Sequence, residues 1–209
     1  MSKLLYIQSS PRKERSVSTR IADKFIDSYR KSHPEDEAEV MNLFELSLPA
    51  FDGYVIQSKY DIMHNQEFSE EQRHAWIDVE RIIGHFKSAD KYLFSVPMWN
   101  FGIPYRLKHY IDLIVQPGYV FTVDESGYRG LVTGRPAAVI YARGGEYTGE
   151  SGMADYDIQS RYMRTVLGFM GFEQIEEIFA EPTLQGGPEL AEERIGKALQ
   201  RAEEMAVIF

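Results

Sequence analysis

Three short stretches of this 209-residue chain combine residue types able to hold an anion, a flat ring and a developing negative charge. The first, Ser9-Ser10-Pro11-Arg12-Lys13-Glu14-Arg15-Ser16-Val17-Ser18, sets hydroxyls and three cations just ahead of an apolar pattern of helical period. Free amides at a helix start, the positive end of the helix dipole and nearby cations together make an anion site. A capping box needs Glu or Gln three residues after the cap, but Ser16 is followed there by Thr19 and Ser18 by Ile21, which leaves first-turn amides open to a ligand. A serine that simply caps the helix, among solvated charges, accounts for the same residues. The chain has no Gly-x-Gly-x-x-Gly fingerprint and no Gly-Lys-Ser or Gly-Lys-Thr phosphate loop, which counts against a nucleoside triphosphate.

The second stretch is Val96-Pro97-Met98-Trp99-Asn100-Phe101-Gly102-Ile103-Pro104. Two prolines and a glycine impose an irregular backbone, and Met98, Trp99 and Phe101 offer flat or polarisable surface to a planar heterocycle. An aromatic corner that plugs the core is the other reading, which Asn100 between two aromatics makes less comfortable. The third is Tyr141-Ala142-Arg143-Gly144-Gly145, where paired glycines permit close backbone approach and successive amides can form a nest for negative charge. A plain turn explains that one nearly as well.

What gives these stretches weight is where the elements put them. Leu4-Leu5-Tyr6-Ile7, Tyr92 to Val96 and Ala137 to Ala142 are continuous apolar runs of strand length, expected for strands buried on both faces, and each ends at one of the three loops. Glu39 to Leu43 and Ile175 to Phe179 read as two more strands. Between them, helical spacing runs through Ile21 to Tyr29, Trp76 to Phe86, Leu107 to Ile114, Met163 to Met170 and Ala191 to Ala206. Ser69 with Gln72 three residues on predicts a capped helix start, and the Glu67, Glu70, Glu71 cluster reads as its charged first turn. Alternating strands and helices predict an α/β fold, a doubly wound sheet of five parallel strands with helices on both faces, in one domain over 1–209. Ligands in such sheets bind beyond the carboxyl ends of the strands. Tyr119 to Leu131 reads as a hairpin, and the stretch 51–66 as an irregular loop without strong pattern, placed to influence acceptor choice.

Composition narrows the field further. With no cysteine there is no thiol nucleophile, disulfide, thiolate metal site or Fe–S cluster. The five histidines, His33, His64, His74, His85 and His109, lack metal-type spacing, so no metal site is expected. A net charge of -9 argues against nucleic acid, and the apolar runs are too short to span a membrane. The start, Met1-Ser2-Lys3, leads straight into a strand pattern with no leader, so the expectation is a cytoplasmic protein.

Taken together, the residues resemble the flavodoxin-like FMN-dependent NADH-azoreductases, also called FMN-dependent NADH:quinone oxidoreductases. The resemblance covers essentially the whole chain. It is carried by Ser9-Ser10 with Ser16-Val17-Ser18, by Pro97-Met98-Trp99-Asn100-Phe101, by Leu107-Lys108-x-Tyr110-x-Asp112, by Gly130-Leu131-Val132-Thr133-Gly134, by Arg143-Gly144-Gly145 and by Leu167-Gly168-Phe169-Met170-Gly171. It implies that Ser10, Ser16, Val17 and Ser18 hold the phosphate of a tightly bound, non-covalent FMN. Met98, Trp99, Asn100 and Phe101 would then contact the isoalloxazine and ribityl chain, and Ala142, Arg143, Gly144 and Gly145 the pyrimidine side, with Phe121 and Phe169 closing a substrate pocket or else serving as ordinary core. Three positions depart from the family pattern: Val17 replaces a polar residue of some relatives, Trp99 the commoner Tyr, and Ala142 a hydroxyl residue.

The chemistry implied is a two-electron ping-pong cycle, hydride passing from NADH or NADPH to flavin N5 and then to a quinone or azo compound. No catalytic side chain is required, because the cofactor does the chemistry and the protein positions it. The amides of Gly144 and Gly145 are assigned to stabilising the reduced flavin near N1 and O2. Relatives act as homodimers with the cavity at the interface, for which Tyr105, Leu107, Tyr110, Ile111 and Ile114 would supply an apolar face. Two other readings stand beside this one: a flavodoxin-type electron carrier, which would be shorter and carry a Thr-Gly-rich phosphate loop, and a cofactor-free interaction domain of the same fold.

Overall fold

Buried strands of mixed apolar residues, separated by amphipathic helices, are satisfied only when helices cover both sheet faces. That is the architecture found. The structure is a computed structural model that describes residues 1–63, 69–149 and 151–209. The positions of His64, Glu67 and the end of the 51–66 stretch lie outside the described residues.

Five parallel strands, β1 (Lys3–Gln8), β2 (Glu37–Asn42), β3 (Lys91–Pro97), β6 (Ala137–Ala142) and β7 (Ile175–Ala180), form one sheet in the order β2-β1-β3-β6-β7. A separate antiparallel hairpin pairs β4 (Phe121–Asp124) with β5 (Gly127–Gly130), Phe121 standing opposite Gly130. The helices are α1 (Val17–Ser32), α2 (Gly53–Met63), α3 (Glu70–Lys87), α4 (Tyr105–Ile114), α5 (Ile158–Met170) and α6 (Pro188–Ile208).

Strand alternation divides the core in two. Leu4 and Tyr6 of β1 face the side covered by α1 and α6, where Ile21, Phe25, Ala202 and Met205 pack on them. Leu5 and Ile7 face the other side, with Trp76, Val79, Leu107 and Met163 from α3, α4 and α5. The interior strand β6 is buried at every residue. Among the described residues no helix is long and apolar enough to cross a membrane.

Two expectations need correction. The stretch 51–66 contains α2, whose first turn is held by the Asp52 carboxylate accepting from the amides of Tyr54 (3.0 Å) and Val55 (3.1 Å). Its apolar residues are spread around the helix, with Val55 buried and Tyr54, Ile56 and Tyr60 exposed, so no single stripe marks it in the sequence. The second concerns the face assigned to a partner subunit. Leu107, Tyr110, Ile111 and Ile114 are fully or nearly fully buried in the chain's own core, and of that set only Tyr105, 65% exposed, is left outside. Helical periodicity finds an apolar face but does not say whether a sheet or a second chain covers it.

The helix at 69–87 is found as α3, with the reciprocal cap formed: Ser69 Oγ accepts from the Gln72 amide (3.1 Å), and Gln72 Oε1 accepts from the Ser69 amide (2.7 Å).

Candidate functional site

Sheet order brings the three loops together. The strands β1, β3 and β6 are consecutive neighbours, so their carboxyl ends lie side by side over about 10 Å at the usual strand spacing. The chain leaves β1 toward β2 on one side and returns to β3 on the other, so the strand order reverses at β1, where such sheets leave a crevice.

At the β1 end, Ser9 is committed to the sheet, its hydroxyl donating to the Ser95 carbonyl (2.6 Å). Ser10, Ser16 and Ser18 are buried. Ser16 caps α1, but its Oγ accepts from the Thr19 amide at a long 3.4 Å, and the hydroxyls of Ser16 and Ser18 stand 3.2 Å apart. The amides of Val17 and Ser18 have no acceptor among the described residues. The cap and the open amides therefore coexist. Lys13 is engaged with Glu45 at 3.0 Å, whereas Arg12 and Arg15 pair with no carboxylate among the described residues.

At the β3 end the backbone makes a tight reversal. Trp99 and Gly102 exchange both amide-to-carbonyl bonds at 3.0 Å, and the two residues between them, Asn100 (φ 47) and Phe101 (φ 70), are left-handed. Asn adopts that region readily, but Phe does so only under constraint, and strain of this kind gathers at ligand sites. The turn holds the Phe101 ring 41% exposed, with Tyr156 (5.5 Å) and Tyr147 (6.4 Å) beside it. The Met98 amide donates to the Ala142 carbonyl (2.9 Å), tying this loop to the next. A cleft of about 470 Å³ opens here between Trp99, Asn100, Tyr105, Lys108, Ile158 and Tyr162. Burial, with the nearby Asp112 charge adding, pushes the Tyr162 phenol up to about 12, so it stays neutral near pH 7.

At the β6 end the Arg143 side chain turns into the protein interior. Its guanidinium is fully buried and donates to both oxygens of Asp157 (2.9 Å), to Glu181 (3.1 Å) and to Gln159 (2.9 Å), with the Phe179 ring 4.6 Å away. Its amide donates to the Ala180 carbonyl. The guanidinium ties the loop to these three partners. Burial by itself pushes the Asp157 carboxyl up, but bonds from the Ser160 hydroxyl and amide, together with Arg143, outweigh it and hold the group below the usual carboxylate range. The amides of Gly144 and Gly145 have no acceptor among the described residues.

The hairpin and its neighbours stand apart from this cluster. Phe121, Tyr128 and Phe169 form a contact trio, with Phe121 and Phe169 rings 4.7 Å apart. The end of α5 adjoins the starts of the strands, since Met170 O accepts from Val132 and Gln174 O from Ala137. Phe169 lies about 16 Å along α5 from Ile158 at 1.5 Å per residue. Phe121 and Phe169 thus meet each other and Tyr128 at the C-terminal end of α5. His109, beside the site in sequence, places Nε2 2.9 Å from the Pro49 carbonyl and acts as a tie between elements. Among the described residues no group of three or more His, Asp or Glu could hold a metal.

Another cavity, about 810 Å³, is at the β2 edge between Gln8, Lys13, Thr19, Met41, Asn42 and His85. The strand-end cluster is the stronger candidate despite its smaller cleft, because unpaired amides converge there on two loops that flank a strained aromatic turn.

Residues 2–206 match the family model described as flavodoxin-like fold. The chain is 45% identical over 209 residues, all of both chains, to an FMN-dependent NADH:quinone oxidoreductase of Nitratidesulfovibrio vulgaris. It is 50% identical over 185 residues to one of Desulfotalea psychrophila, covering 88% of this chain and 87% of that one.

The chain belongs to the FMN-dependent NADH:quinone oxidoreductase family.

An azoreductase from Bacillus anthracis superposes with a TM-score of 0.93 at 30% identity over the full length of both chains. A second structure from that species, an FMN-dependent NADH-azoreductase in complex with FMN, gives 0.87 at 29% identity and covers 99% of this chain and all of that one. Family motifs made Arg143, Gly144 and Gly145 visible in the sequence. They did not reveal Asp157, Gln159, Glu181 and Thr183, which hold that loop. The only local signals were an Asp ahead of an apolar helical pattern and polar residues following the last strand.

Proposed function

We propose that this chain, as one domain over 1–209, holds FMN across the carboxyl ends of β1, β3 and β6 and uses it to reduce quinones and azo compounds with NADH. The observation that carries this is the set of unpaired amides at Val17 and Ser18 on one loop and Gly144 and Gly145 on another, with the Asn100–Phe101 turn between them. An anion belongs at the first pair and a hydrogen-bonding ring edge at the second, which is what a flavin mononucleotide offers at its two ends.

In this reading Ser10, Ser16 and Ser18 surround the phosphate with hydroxyls, and Val17 contributes its amide. Arg12 and Arg15 add positive charge at the dipole's positive end. Met98, Trp99, Asn100 and Phe101 bound the ring and ribityl chain. Ala142, Gly144 and Gly145 face the pyrimidine side, while Arg143 serves that side only by fixing the loop. When bound, FMN supplies two-electron transfer from the nicotinamide to the acceptor, gaining negative charge at its pyrimidine end while reduced. The Gly144 and Gly145 amides are fixed donors for that charge, favouring the reduced state without reorganisation. No side chain is asked to act as acid or base.

A homodimer completes the site. Phe121 and Phe169 pack with Tyr128 at the hairpin end of α5, and in this reading a second copy brings them to the pocket. Tyr54, Tyr105 and Leu184 are exposed and available to such a contact.

The test is an absorbance spectrum of the purified protein with FMN, then anaerobic NADH, on a sample whose mass is taken by sedimentation equilibrium. The yellow flavin band should bleach within one catalytic turnover and the mass should be twice 24.1 kDa. A flavin that stays oxidised sinks the oxidoreductase reading, and a single-chain mass sinks the dimer.

The aromatic turn gives a second prediction. Phe101→Gly removes a ring and also relieves a left-handed backbone that costs a non-glycine residue about 1 kcal/mol. Unfolding free energy is expected to stay level or rise by about that amount, while FMN binds about tenfold more weakly. A loss of stability, read by urea unfolding of the FMN-free protein, would show that the ring is core.

A further inference from the structure

We infer that the segment Thr183–Gln185 is a strap that aims the Gly144 and Gly145 amides at the ligand, with Thr183 as its principal positioning residue. This rests on the flavin reading above and adds residues that no motif contains.

In a trans peptide the C=O and the following N–H point in opposite directions within one plane. The Arg143 carbonyl accepts two bonds, from the Thr183 amide (2.8 Å) and the Thr183 hydroxyl (2.9 Å). The Gly144 carbonyl accepts two more, from the amides of Leu184 (3.0 Å) and Gln185 (2.9 Å). Each oxygen has two lone pairs, and both are used. With the carbonyls drawn to the strap, the N–H groups of Gly144 and Gly145 must face away from it, where neither meets an acceptor among the described residues. Turning either peptide would break two bonds at once, so these donors are set before any ligand arrives.

The strap is itself anchored. Glu181, just before it, accepts from Arg143 (3.1 Å) and from the amides of Tyr147 (3.1 Å) and Thr148 (3.0 Å), and the Thr148 hydroxyl donates to it as well. Both sides of the loop are thereby tied to one carboxylate. At two successive glycines, whose backbone is otherwise free to rotate, this double fastening gives the pair of amides a defined direction. Donors fixed in direction matter most where charge grows, so the strap should favour the reduced over the oxidised flavin rather than binding both alike.

The test is Thr183→Val, which removes the hydroxyl bond while keeping shape and amide, with Thr183→Ala as a second variant and Thr183→Ser as the restoring one. Affinity for oxidised FMN is measured by fluorescence titration, and the two-electron midpoint potential of the bound flavin by spectroelectrochemistry. In both hydroxyl-free variants oxidised FMN should bind within about threefold of wild type. Affinity for the reduced form should fall about tenfold further, a potential about 30 mV more negative by the two-electron relation, and Thr183→Ser should restore the wild-type value. An unchanged potential, or equal loss of affinity in both redox states, would overturn the strap and leave Thr183 a merely structural residue. Wild-type protein that takes up no FMN would instead overturn the functional reading beneath it, and that failure is visible before any variant is compared.

Discussion

Arg143→Met is expected to cost about 3–5 kcal/mol of folding stability at neutral pH, because it leaves two buried carboxylates without their cation. The side chains of Arg143, Asp157 and Glu181 are 0%, 10% and 4% exposed, so water cannot replace the lost partner. Methionine matches the volume of the arginine stem and keeps the contact with Phe179, which separates the loss of charge from the loss of packing. The sign of the pH dependence is the discriminating readout. In the native chain the Asp157 carboxyl is held below its ordinary value, the bonds from Ser160 and Arg143 outweighing burial. A depressed folded value stabilises above the unfolded pKa, about 3.9, and that stabilisation is lost as pH falls through the folded value. In Arg143→Met burial is less opposed, so the Asp157 carboxyl moves upward and its protonation relieves the fold. The deficit against wild type should therefore be largest at pH 7 and shrink as pH approaches about 4.5. Urea unfolding at both pH values measures it, and a deficit independent of pH would show that the guanidinium acts through packing alone.

Gly130→Ala is expected to cost about 3 kcal/mol through backbone collision. A Cβ built at Gly130 falls 2.3 Å from the Gly171 nitrogen and 2.4 Å from both the Gly171 Cα and the Met170 carbonyl carbon. These are main-chain atoms at the end of α5, where Gly171 (φ 105) caps the helix, and no rotamer change can clear them. The hairpin must lift off the helix, which strains the bond from the Val132 amide to the Met170 carbonyl (2.9 Å). It also parts Phe121 from Phe169. Gly84→Ala is the control of opposite sign: Gly84 lies within α3 with nothing within 4 Å of its Cβ position, so alanine should add up to about 1 kcal/mol through helix propensity. Thermal unfolding of the two variants side by side checks both, and a Gly130→Ala protein as stable as wild type would mean that the two glycines are not in contact.

Much of this was legible in one dimension. The five parallel strands, the helices between them and the hairpin follow from apolar period and turn residues, because those patterns record which faces meet a neighbour. The capped start of α3 was legible for the same reason, since Ser69 and Gln72 need only each other. The weak points were equally physical. The helix α2 spreads its apolar residues around its axis and leaves no stripe, so 51–66 read as a loop. The buried face of α4 read as a docking surface, because period alone cannot name the element that covers an apolar face.

Composition and order of residues by themselves determined the fold class, the absence of thiol chemistry and the three loops in which a ligand would sit, since these depend on local spacing and on which side chains exist at all. Only the tertiary structure decided what each loop residue does. It showed Arg143 as a buried tie to Asp157, Gln159 and Glu181, set Phe121 against Phe169, and put Thr183 where it fastens the Arg143 carbonyl. The reason is that a side chain's partners are chosen by contacts between residues 14 to 40 positions apart, and those contacts exist only after the sheet has closed.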